Sequence, residues 1–160
     1  MRDQNLTPQQ ALQKIKHFCA YQERCHSEVK ERLYHYGLNT KETDNLISTL
    51  IEENYLDEER FAVQFAGGKF RIKHWGRSKI RYELKKRQIS DYCIKKGIQS
   101  IDETEYEATL RRFLEKEIQT RRISKEQRIQ IEKIKQSFIL KGYEPELIKT
   151  ILQDLLNNKK

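Results

Sequence analysis

The stretch Val29-Lys30-Glu31-Arg32-Leu33-Tyr34-His35-Tyr36-Gly37-Leu38 decides how this chain folds. Val29 and Leu33 are four residues apart, so on a helix they share one face and point into a core. Leu38 falls just past the helix end. Gly37 before it can take the left-handed backbone that closes a helix, which lets Leu38 fold back as the apolar contact after the cap. The same spacing returns 51 residues on as Ile80, Leu84 and Ile89, and a further 54 residues on as Ile134, Phe138 and Tyr143. Gly142 repeats the cap of the first copy. Gln88 takes that place in the second, so a more strained cap is expected there.

Each copy is flanked by a leading and a trailing apolar stripe. The leading stripes are Leu12, Ile15 and Cys19, then Phe61, Phe65 and Ala66, then Tyr106, Leu110 and Phe113. The trailing ones are Leu46, Ile47, Leu50 and Ile51, then Ile94, Ile98 and Ile101, then Leu147, Ile148, Ile151, Leu152 and Leu155. Spacings of three and four dominate, and no stretch alternates with period two. Thr7-Pro8 with Gln10, Ser100 with Glu103, and Ser124 with Gln127 read as capping boxes. Asp57-Glu58-Glu59 places negative charge at a helix start, and Pro145 suits a first turn. The expectation is an all-α protein of nine helices. They form three tandem three-helix repeats, 1–56, 57–101 and 102–160, in an elongated, curved arrangement where each repeat covers its neighbour's apolar face.

Composition agrees with thin helical layers. The 160 residues are 35% charged and 36% hydrophobic, with a mean hydropathy of −0.92, so one deep core is not expected. Pro8 and Pro145 are the only prolines. Apolar runs fall far short of a membrane span, and the polar opening Met1-Arg2-Asp3-Gln4-Asn5 gives no reason to expect a secretory leader. A cytoplasmic protein with no membrane partner is expected. Cys19, Cys25 and Cys93 are an odd count without framework spacing, which suits a reducing compartment. Cys19 lies in an apolar stripe and is expected to be a buried thiol. Cys19 and Cys25 with His17 and His26 do not have zinc spacing, because residues two apart on a helix face apart. Neither a metal nor a cofactor is expected.

The net charge of +8 is concentrated. Residues 1–56 carry −1, residues 57–101 carry +7, and residues 102–160 carry +2. Such a patch favours a polyanionic partner, either nucleic acid or an acidic protein surface. The candidate contacts are Arg71, Lys73, Trp75, Arg77, Lys79 and Arg81, with Lys85, Lys86, Arg87, Lys95 and Lys96 continuing the basic stretch. Lys85, Lys86 and Arg87 also complement a helix dipole. Trp75 reads equally as a core plug or a stacking surface. Arg111, Arg112, Arg121 and Arg122 are weaker candidates, since acidic neighbours offset them.

No set of residues has catalytic spacing, and the chain is not expected to be an enzyme. Gly67-Gly68-Lys69 is not a phosphate loop, because it sits inside a continuous helical pattern. Two interior glycines cost about 2 kcal/mol relative to alanine, so close packing or a bend is expected there. Asp57, Glu58 and Glu59 fan around a helix start, which suits capping better than metal binding.

Tyr55-Leu56-Asp57-Glu58-Glu59-Arg60-Phe61-Ala62, followed by Gly76, Ile80, Glu83-Leu84 and Ile89, resembles the central signature of the RecX family. In weaker form the resemblance extends over residues 8–157. It departs from the family pattern at Gln88, where glycine is usual. The resemblance implies three tandem three-helix repeats. It also implies a regulator, mainly a negative modulator, of RecA recombinase that lies in the groove of the RecA–DNA filament. Such a regulator restrains ATP hydrolysis, strand exchange and coprotease activity. Some direct, sequence-independent affinity for single- and double-stranded DNA is implied as well. The protein is expected to be a monomer. A direct DNA-binding protein built of helix-turn-helix-like units is the alternative. A nuclease would need clustered carboxylates or a histidine base, which the sequence does not offer.

Overall fold

A computed structural model describes residues 5–158; residues 1–4, most of the polar opening stretch, and 159–160 lie outside it. Among the described residues there are nine α-helices and no strand. They are α1 (Pro8–Tyr21), α2 (His26–His35), α3 (Thr40–Glu52), α4 (Glu58–Gly68), α5 (Arg77–Lys86), α6 (Asp91–Gln99), α7 (Glu103–Arg121), α8 (Arg128–Leu140) and α9 (Pro145–Asn157). A π-helical turn, Lys69–Lys73, continues α4. The all-α expectation is therefore met, and none of these helices is long and apolar enough to cross a membrane.

The repeated motif falls on α2, α5 and α8, and all three close with the same hydrogen bonds. The amides of Leu38, Ile89 and Tyr143 donate to the carbonyls of Leu33, Leu84 and Phe138 at 3.3, 3.2 and 3.1 Å. Gly37, Gln88 and Gly142 before them donate to Tyr34, Lys85 and Ile139, completing a Schellman cap each time. Gly37 and Gly142 have φ of +94° and +101°. Gln88 takes the same left-handed turn at +62°, despite its Cβ, and so carries the strain the sequence predicts. All nine motif hydrophobes are buried.

Packing divides the chain into two compact units, with boundaries that fall inside α4, α5 and α6. The first comprises Met1–Phe65 and Leu84–Gly97. Its core joins Ala11, Ile15 and Cys19 of α1 to Val29 and Leu33 of α2 and to Leu46, Ile47 and Leu50 of α3. Burial pushes the Cys19 thiol up to about 11. The signature residues gain physical reasons here. Leu56 is buried, and the Asp57 carboxylate accepts from the Arg60 amide at 2.9 Å as a cap. Arg60 pairs with Glu23 and donates to the side chain and carbonyl of Asn54. Ala62 backs directly onto Gly97, where a Cβ would fall 2.7 Å from the Ala62 carbonyl oxygen. Glu58 accepts from the Ser90 amide at the start of α6, at 3.1 Å.

The second unit comprises Ala66–Glu83 and Ile98–Lys160. Tyr106, Leu110, Leu114 and Ile118 of α7 are buried, as are Ile134 and Phe138 of α8 and Ile148, Ile151, Leu152 and Leu156 of α9. Tyr106 lies between the rings of Phe70 and Tyr143, at centroid distances of 5.5 and 5.3 Å.

Several local expectations are corrected. The cap of α7 is Asp102, not Ser100, and accepts from the Glu105 amide at 2.9 Å. Ser124 and Gln127 do pair, but in the turn before α8, whose cap position is Gln127 itself. Ile51 is exposed, and Leu156 takes the core place given to Leu155. The Thr7–Gln10 box is present as expected, and a second box, Asn39 with Glu42, opens α3.

Candidate polyanion-binding surface

The sequence nominates eleven residues, six in the second unit and five in the first. In the second unit they are carried by the π-helical turn, the link that follows it, and the first turns of α5. Arg71, Lys73 and Arg81 are exposed. Arg71 folds back along α4, so that a Cβ on Gly67 would meet its guanidinium at 2.7 Å, whereas Gly68 faces open space. Gly67 is thus a seat for Arg71, and the wider π turn replaces the slight bend expected there.

Trp75 is half-buried between two ammonium groups. Lys69 Nζ lies 5.1 Å and Lys79 Nζ 4.6 Å from its ring centroid. Cations held over an indole face are attracted by its negative quadrupole. Lys69 is a residue that sequence reasoning missed. So is Ile72, which is 76% exposed between Arg71 and Lys73, and Tyr82, exposed on α5. The available signal was an apolar residue out of phase with the buried stripe inside a basic run.

Arg77 is placed differently from its neighbours. Its side chain is only 18% exposed, with the guanidinium 3.9 Å from the Tyr106 ring centroid. Nη1 and Nη2 donate to Glu103 at 2.7 and 3.4 Å. Nε lies 2.8 Å from Glu144 Oε2, close enough for charge pairing although its N–H is not aimed at that oxygen. The Tyr106 hydroxyl donates to Glu144 and accepts from the Arg77 amide at 3.0 Å. Burial disfavours the Arg77 charge, but Glu103 and Glu144 more than offset this and raise its pKa. Burial first, then the Glu144 hydrogen bond, raises Tyr106 well above the phenol range. Arg77 is bound into the interior, where the carboxylates of Glu103 and Glu144 take up its charge.

In the first unit Lys85, Lys86, Lys95 and Lys96 are exposed. Lys96 lies 5.5 Å from the ring of the exposed Tyr92, another residue missed from sequence. The Arg87 guanidinium packs 4.7 Å from the Phe65 ring, and its carbonyl accepts from the Ser27 hydroxyl. A cleft of about 500 Å³ elsewhere in this unit places Arg24 and Arg32 over Phe18, but Glu28 and Glu31 line it too. Of the weaker candidates, Arg111 pairs with Asp154 at 2.6 Å and Arg121 with Glu117 at 2.9 Å.

What these groups offer chemically is charge and flat apolar surface. Comparison with known proteins narrows that choice. A family model described as "RecX, second three-helix domain" matches residues 57–98. "Regulatory protein RecX" of Clostridium tetani is 28% identical over 130 residues, covering 81% of this chain and 59% of that protein. The namesake from Prosthecochloris aestuarii is 24% identical over 152 residues, covering 92% and 95%. The crystal structure of RecX from Lactobacillus salivarius superposes with a TM-score of 0.82 at 21% identity, over 92% of this chain and 96% of that one. The chain is thus similar to RecX proteins in sequence, through its second three-helix segment and the relatives above, and in fold over most of its length. It spans 59%, 51% and 53% of three curated RecX relatives, from Clostridium tetani, Oceanobacillus iheyensis and Geobacillus kaustophilus, while nearly matching the Prosthecochloris RecX in extent. The RecX match at 57–98 covers Arg71 through Lys96, so all eleven nominated residues lie within the segment that carries the family model.

Proposed function

We propose that this chain is a RecX-family protein and a negative modulator of RecA recombinase. It binds in the groove of the RecA–DNA filament and restrains ATP hydrolysis, strand exchange and coprotease activity. The carrying observation is the coincidence of the family match at 57–98 with the segment that holds nearly all the excess positive charge. A groove lined by DNA phosphates and acidic protein surface is the kind of partner such charge selects. The reading further takes the chain as a cytoplasmic monomer without catalytic residues or cofactor. Its three modules are 1–56, 57–101 and 102–160, and the helix order α1–α3, α4–α6 and α7–α9 supports that division. Arg71, Lys73, Lys79, Arg81, Lys85, Lys86, Lys95 and Lys96 supply the contacts.

The test is the single-strand-dependent ATPase of RecA from the same organism, with DNA held in excess so that masking of DNA cannot lower the rate. Inhibition that saturates is expected. An unchanged ATPase together with tight binding to bare DNA would move the protein to the direct DNA-binding class.

A further inference from the structure

We propose that Trp75, held between Lys69 and Lys79, is a nucleobase-stacking platform that makes this surface prefer single-stranded over duplex polynucleotide. The inference rests on the polyanion reading above and adds what that reading lacks, a group that senses bases as well as phosphates.

Three observations in the second unit carry it. The first is the mounting of the indole. Trp75 donates its amide to the Lys69 carbonyl at 3.2 Å, and both chain neighbours are fixed. The His74 ring packs 4.8 Å from that of Phe113, and the His74 carbonyl accepts from the Tyr143 hydroxyl at 2.8 Å. Gly76 is buried, and its amide donates to the Lys141 carbonyl at 2.8 Å. A ring on such a base loses little freedom when a ligand arrives, which is the condition for stacking to yield net affinity.

The second observation is the pair of ammonium groups over the ring. Phosphates compete for ammonium groups more strongly than an indole does, since charge–charge attraction exceeds charge–quadrupole attraction. A strand laid along this surface would draw Lys69 and Lys79 to its phosphates and uncover the indole face beside them. A nucleobase is the flat, apolar group that then lies within reach. The third observation is that Trp75 is half-buried, so its body is anchored while part of the ring meets solvent. In a duplex the base faces are covered by stacking, whereas single-stranded bases can splay onto an aromatic side chain.

Trp75 is the chain's single tryptophan, so its emission reports this site alone. The full chain would be titrated by fluorescence and calorimetry with a fifteen-nucleotide oligothymidylate, a fifteen-base-pair duplex and inorganic polyphosphate. Saturable quenching by the single strand is expected, with binding but little quenching by polyphosphate, which has the charge and no bases. Trp75→Leu should weaken single-strand binding by roughly five- to a hundredfold while leaving duplex and polyphosphate binding within twofold. Trp75→Phe, which keeps a ring and most of the packing, should retain most of the single-strand affinity and shows whether a loss in the leucine variant is a folding defect. Equal quenching by polyphosphate, or equal losses for all three ligands in Trp75→Leu, overturns the stacking role. Failure of the unaltered chain to bind any of the three overturns the polyanion reading itself, and this inference with it.

Discussion

Gly76 and Gly142 meet backbone to backbone, so closely that a Cβ on Gly76 would fall 2.2 Å from the Gly142 carbonyl carbon. The contact joins the carbonyl end of α8 to the amide end of α5. Gly76 and Ser78 donate their amides to the carbonyls of Lys141 and Gly142, at 2.8 and 2.9 Å. Groups left without partners at two helix ends satisfy each other, and the negative pole of one helix faces the positive pole of the next.

Alanine at either glycine is therefore expected to be costly. Gly76→Ala forces backbone apart, and Gly142→Ala adds the penalty of a side chain at φ +101° and a clash with Lys79. Each should lower the unfolding free energy by about 2–4 kcal/mol in urea titrations. Gly37→Ala, at φ +94°, should cost about 1–2 kcal/mol from backbone conformation. A loss below 1 kcal/mol at Gly76 would mean the junction is looser than described.

Gln88→Gly should act in the opposite direction. Its φ of +62° is a conformation that glycine adopts without penalty. Relief of that strain, less the extra freedom glycine gains in the unfolded chain, leaves a stabilisation of about 0.5–1 kcal/mol. The check is the shift in urea midpoint at unchanged slope.

Arg77 and the lysines of α5 should separate cleanly. Arg77→Ala leaves Glu144 and the Tyr106 hydroxyl facing each other without their cation. It should cost about 2–3 kcal/mol of stability, well short of a fully buried pair because Glu103 and Glu144 reach solvent. Lys85→Gln with Lys86→Gln should leave stability within 0.5 kcal/mol, by the usual range for surface changes. That pair should instead flatten the dependence of log affinity for DNA on log salt, by up to about 1 per lysine that meets a phosphate. An unchanged salt slope would remove these two lysines from the surface.

Alkaline pH should destabilise the protein progressively, with Cys19 and Tyr143 among the groups responsible. Burial raises Cys19 from 9.0 to about 11 and Tyr143 from 10.0 to about 12. Each group holds its proton more tightly folded than unfolded. Their stabilising contributions are complete below the unfolded values and are lost as pH rises, from 9 to 11 for the thiol and from 10 to 12 for the phenol. The loss is at most about 2–3 kcal/mol for each. Urea midpoints at pH 8, 10 and 11 should fall progressively. Tyr143→Phe, about 1 kcal/mol weaker at pH 8 for want of its bond to His74, should narrow the gap to the unaltered protein at pH 11.

How far the sequence could be read follows from the range of each interaction. Ser100 with Glu103 matches the capping pattern as well as Asp102 with Glu105 does. Ile101 decides between them: it is buried outside either helix, and docking it moves the start of α7 two residues on. Ser124 and Gln127 form their bond, but the chain around them turns before it coils. Among the cations, Arg71, Lys73 and Arg81 stay exposed as expected. Arg77 is withdrawn by carboxylates 26 and 67 residues away, which no local pattern reveals.

The sequence by itself determined the helices, the caps that close α2, α5 and α8, and most of the face each helix buries, because these depend on neighbours three to six residues apart. It also determined the concentration of charge in residues 57–101, which needs no folding at all. Only the tertiary structure decided that Gly76 answers Gly142, that Arg77 serves the interior, and that Lys69 and Lys79 share Trp75. Apart from the ten-residue span of the Trp75 pair, those contacts join residues 26 to 67 apart in the chain. Their partners are selected by shape and desolvation once the helices pack, and periodicity carries no record of that choice.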